Sequence, residues 1–75
     1  MSDEQTDLNN LREDLKDELL AINHYQVHID ATDNPDIQKL LGHIRDEEKE
    51  HVAELVKLIR QLDPTEDELF KKEGL

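Results

Sequence analysis

The stretch Asp30-Ala31-Thr32-Asp33-Asn34-Pro35-Asp36-Ile37 decides the fold. Asn34 is a capping side chain, and Pro35 stands at a first helical position. Proline loses nothing there, because the N–H it lacks has no helical acceptor. A helix therefore starts at Pro35. Upstream, apolar residues recur at helical spacing from about Thr6 to Ala31. Only Thr32 to Asn34 remain to join the two helices, and so short a link makes them antiparallel neighbours.

Outward from the turn, the second helix runs from about Pro35 to Leu62. There Asp63-Pro64 repeats the cap-and-proline signal. Asp63 and Glu66 have the spacing of a capping-box variant. A short third helix covers about Pro64 to Lys72, and Gly74 stops it. Residues 1–5 read as a disordered start, and 6–75 as one helical hairpin domain. No strand pattern or internal repeat is present. The expected fold class is all-α: an antiparallel two-helix hairpin plus a short C-terminal helix. Each long helix should span roughly 40 Å at about 1.5 Å per residue. Gly42, inside the second helix, would suit a close helix–helix approach.

Positions separated alternately by three and four residues trace the packing seam. On the first helix they are Leu8, Leu11, Leu15, Glu18, Ile22, Tyr25 and Ile29. On the second they are Ile37, Leu41, Ile44, Glu48, His51, Leu55, Leu58 and Leu62, with Leu40, Val52 and Ile59 widening the stripe. The polar exceptions are Glu18 and Tyr25 on one helix, Glu48 and His51 on the other. An unpaired buried carboxylate costs several kcal/mol or takes up a proton. A cation is the economical compensation. With the turn centred near residue 33, Glu18 lies 15 residues before it and Glu48 lies 15 after it. A hairpin thus sets them at similar height. His51 is three residues from Glu48, on the same helical face. The Glu-x-x-His spacing alone is weak, since it arises by chance in roughly one similar sequence in two. Its place in the seam, with Glu18 opposite, gives it weight.

The composition narrows the chemistry. The chain has 75 residues, enough for one small domain that usually needs a metal or a partner chain. There is no cysteine, so any metal must be held by carboxylate and imidazole. Tyr25 and Phe70 are the only aromatics. Twenty acidic residues against nine basic ones give a formal charge of −11. That charge repels nucleic acid and anionic membranes and attracts dissolved cations. It also serves simple solubility. No apolar run is long enough to span a bilayer, and Met1-Ser2-Asp3-Glu4-Gln5 lacks the pattern of a secretory signal. A soluble cytoplasmic protein is expected.

Ferritin-like bundles build a di-metal site from two lone glutamates and two Glu-x-x-His pairs. This chain offers one of each, so two copies about a twofold axis supply the full set. Four carboxylates then balance two ferrous ions. Oxygen and nitrogen ligands with open positions suit iron or manganese, while zinc and calcium also fit. On the redox reading, Glu48 bridges two irons at the dimer interface. Glu18 is a terminal ligand, His51 the nitrogen ligand, and Tyr25 a nearby hydrogen-bonding or electron-donating residue. The alternatives are a zinc- or calcium-stabilised dimer without turnover and a metal-free helical dimerisation module.

At these residues the sequence resembles the encapsulated ferritins. The likeness rests on Asp17-Glu18-Leu19-Leu20-Ala21 with Tyr25, on Asp30-Ala31-Thr32-Asp33, and on Arg45-Asp46-Glu47-Glu48-Lys49-Glu50-His51. It implies an annular decamer of dimers, each dimer a four-helix bundle with a ferroxidase centre at its interface. Glu18, Glu48 and His51 would be the iron ligands there, with Tyr25 close by. It also implies Fe(II) and oxygen as substrates, and an encapsulin shell as the storage compartment. Leu20 stands where some members have an acidic residue, so iron access would differ, with His24 or His28 as candidates.

Overall fold

In the computed structural model, which describes residues 3–75, the chain forms three helices: α1 (Glu4–Ala31), α2 (Pro35–Leu62) and α3 (Pro64–Lys72). The boundaries of α2 and α3 are those the cap-and-proline signals predict. Asn34 caps α2, its side-chain oxygen accepting from the N–H groups of Asp36 at 2.9 Å and Ile37 at 3.4 Å. The hairpin turn is tightened by Gln38, whose side-chain amide donates to the Thr32 carbonyl at 2.8 Å. Asp63 ends one helix and starts the next. Its N–H donates to Ile59 at 2.9 Å, and its carboxylate accepts from Glu66 N–H at 3.1 Å. Gly74, at φ 83°, takes the left-handed conformation that stops α3.

α1 begins two residues earlier than the apolar pattern suggests. The Asp3 carboxylate accepts from Thr6 N–H at 2.7 Å, a cap that recruits Glu4 and Gln5 into the first turn. Glu4 and Gln5, expected to belong to the start outside the helix, are thus helical in the structure, with Asp3 as their cap. Met1 and Ser2, the rest of that segment, lie outside the described residues.

α1 and α2 pack against each other along their length, and α3 packs on the end of α2. The result is a plate measuring 45 × 34 × 14 Å, little thicker than one helix. Among the described residues only Leu8 and Ile59 are fully buried. Ile59 is the most enclosed side chain, whereas Leu58, placed in the seam by heptad counting, is 43% exposed. α2 is thus rotated so that Val52 and Ile59 turn toward α1, and Leu40 and Leu58 toward the open side. Gly42 does not mark a close approach of helices. Its nearest neighbour, at 3.9 Å from a built Cβ, is the Arg45 side chain on the same helix. Arg45 itself crosses to α1, donating to the Gln26 side chain at 2.7 Å.

Candidate metal centre

The hairpin brings Glu18, Glu48 and His51 together. One ligand atom from each lies within 4.8 Å of the others. His51 Nδ1 is 3.4 Å from Glu18 Oε2 and 3.6 Å from Glu48 Oε2. Glu18 comes from the middle of α1, and the other two lie one turn apart on α2. The equal distances from the turn set the height, and the helical period sets the direction.

The electrostatics of the cluster are unbalanced. Among the described residues, neither carboxylate pairs with a lysine or arginine; the contacts in ion-pair range are to His51, which is charged only if protonated. Glu18 Oε2 is buried and has no hydrogen-bond partner. A buried carboxylate oxygen left without a donor is rare, because it has lost water and gained nothing. Two carboxylates and an imidazole pointing at one volume fit a divalent cation with oxygen and nitrogen ligands. His51 is half exposed, so the cluster is open on one side.

That open side is a cleft of about 570 Å³, lined by Asp14, Asp17, Glu18, His51, Glu54, Leu55 and Leu58. Asp14 and Glu54, both exposed, are additions to the residues the sequence pattern singles out. The available signal was spacing: Asp14 is one turn before Glu18, and Glu54 one turn after His51. Tyr25 is half-buried two turns along α1 from Glu18, and its hydroxyl makes no hydrogen bond among the described residues. His24 and His28 are exposed and lie outside the cluster. No helix among the described residues is long and apolar enough to cross a membrane.

Fold and site together define a class: a ferritin-like helical hairpin with a carboxylate–histidine triad that could hold a metal ion. Within that class the chain belongs to the EncFtn-like family, whose model matches residues 1–73. It is 52% identical over 54 residues to the encapsulin nanocompartment cargo protein EncC of Myxococcus xanthus, a match covering 72% of this chain and 42% of that protein. It is 40% identical over 47 residues to the encapsulated ferritin-like protein of Rhodospirillum rubrum, covering 63% of this chain and 34% of that one. The crystal structure of protein ne0167 from Nitrosomonas europaea superposes with a TM-score of 0.88 at 38% identity, covering 96% of this chain and 79% of that one. The chain spans half the length or less of the curated relatives it matches.

Proposed function

We propose that two copies of the chain pair through their open apolar faces and oxidise ferrous iron at the interface. Each copy contributes Glu18, Glu48 and His51, so the pair holds two iron ions as substrate between four carboxylates and two imidazoles. The observation that carries this reading is the buried Glu18 Oε2 without a donor, beside Glu48 and His51 and away from any lysine or arginine. Its electrostatic need is a cation, and the charge of the paired site is balanced by two ferrous ions. Each ferrous ion gives up one electron, so a pair delivers two electrons to oxygen. Glu18, Glu48 and His51 would hold the iron, with Glu48 shared between the two ions and positions left open for oxygen, and Tyr25, two turns along α1 from Glu18, would at most tune the rate.

Pairing is supported by surface area. A compact monomer of 8.8 kDa exposes about 4,800 Å², and this chain exposes 5763 Å². The excess, about 1,000 Å², is the scale that one partner contributes to a standard interface. On the same reading the dimers assemble into a ring, with an encapsulin shell as partner and the ferric product stored in its compartment in the cytoplasm. The cargo role of the Myxococcus xanthus relative is the basis for that step.

The test is aerobic oxidation of added ferrous iron, followed by ferric absorbance against a protein-free blank. Acceleration by the protein, lost in Glu48→Ala, Glu18→Ala and His51→Ala and kept in Tyr25→Phe, is the expected result. Full activity in Glu48→Ala removes the proposed centre. Binding of zinc or calcium without oxygen consumption makes the site structural instead.

A further inference from the structure

α3 is held on the hairpin in an unusual way. It has no fully buried side chain, and its apolar residues Leu69 and Leu75 beyond it remain open to solvent. Two arginines from the hairpin do the fastening. Arg12, on α1, reaches the Asp63 carboxylate at 2.7 Å and the Glu66 carboxylate at 3.4 Å. Arg60, on α2, donates to Asp67 at 2.7 Å and to the Leu75 carbonyl at 3.3 Å, and lies 4.8 Å over the Phe70 ring. Lys71 adds a pair to Asp67 within α3 itself. A helix of nine residues is marginal on its own, so it needs this docking to persist. Partly exposed ion pairs are individually weak and are screened by salt.

We propose that α3 is a charge-latched arm, held in its present orientation by Arg12 and Arg60 and released from the hairpin when those contacts are screened or removed. The arm sits clear of the metal cluster. The groove it makes with α2 is lined by Ala53, Val56, Lys57 and Arg60, whereas the cleft beside Glu18 uses His51, Glu54, Leu55 and Leu58. These sets lie on opposite faces of α2, so the arm can move without disturbing the ligands. A hinge is available at Asp63-Pro64, where the chain leaves helical geometry for one residue (φ −123°, ψ 93°).

The absence of native cysteine makes the test direct. Spin labels at Lys39→Cys and Lys72→Cys report the angle between α2 and α3, with labelled chains diluted in unlabelled protein to isolate the distance within one chain. At low salt, near 0.01 M, the distance distribution should be narrow; near 1 M, where the screening length is about 3 Å, it should broaden about twofold. Arg12→Gln/Arg60→Gln should be broad at both. A distribution that stays narrow in the double variant overturns the latch, because packing would then hold α3. If that variant does not fold, the salt series decides alone: no broadening near 1 M overturns the proposal.

Discussion

At the residue scale the argument rests on Glu18. Its Oε2 is buried with no hydrogen-bond donor, in a side chain that is otherwise 27% exposed, so in the metal-free chain this carboxylate is only partly compensated. Glu18, Glu48 and His51 keep 27%, 19% and 47% of their side-chain exposure, so exchanging them for apolar groups removes a partly desolvated charge cluster, a change of the kind that is often neutral or stabilising. Glu18→Leu/Glu48→Leu/His51→Leu should therefore raise the thermal midpoint of the metal-free protein and abolish binding of ferrous iron. Differential scanning calorimetry with and without metal checks both halves. A triple variant less stable than the metal-free parent would mean that the three side chains form a satisfied polar network, with no need of a cation. The meeting of these three side chains was legible in the sequence because seam position and distance from the turn are both countable. Asp14 and Glu54 were not singled out, since spacing alone does not separate a cleft wall from a solvated face.

At the element scale the caps were legible and the rotations were not. Asn34-Pro35 and Asp63-Pro64 set the starts of α2 and α3 because a capping side chain and a proline act locally. The pairing of Ile59 rather than Leu58 with α1 is tertiary: the apolar stripe is wider than one contact, and packing selects which edge turns inward. The fastening of α3 by Arg12 and Arg60 is also tertiary, joining residues that sequence spacing does not connect. Asn34→Ala should cost about 1 kcal/mol, the usual value of a lost N-cap, seen as a lower urea midpoint with an unchanged slope. Acid tests the other junction. The Glu66 N–H, together with Arg12, holds the Asp63 carboxyl below its ordinary 3.8. Arg60 and then Lys71 do the same for Asp67. A group lowered in the folded state contributes stability above its unfolded value and loses it as pH falls through the folded one. Docking of α3 should thus be level from pH 8 to about 5 and fail only below about 4. Amide exchange of α3 that rises already between pH 7 and 6, after correction for intrinsic rates, would contradict this.

At the scale of the whole molecule, a plate 14 Å thick buries little on its own, so on the proposed reading both stability and function rest on what covers its open face. Leu40, His51 and Leu58 fall on one line of α2, because their separations of eleven and seven residues are close to whole numbers of turns. Both leucines are exposed in the single chain, at 58% and 43%. Leu40→Asp is the cleaner probe of pairing, since it lies two turns beyond Glu48 and alters no ligand. In the lone hairpin the change is nearly free, because Leu40 already meets water. In the pair it buries a carboxylate without a partner, which costs about 3 kcal/mol or more, over a hundredfold in dissociation constant. Sedimentation equilibrium should therefore show a monomer in Leu40→Asp at concentrations where the parent is paired, with helicity unchanged. Binding that occurs only in the pair shifts association by mass action, so ferrous iron added without oxygen should restore pairing to Leu40→Asp in part. It should do nothing for Glu48→Ala. Were Leu40→Asp to remain paired without metal, the interface would lie elsewhere on the plate, and the two half-sites would not meet across this face.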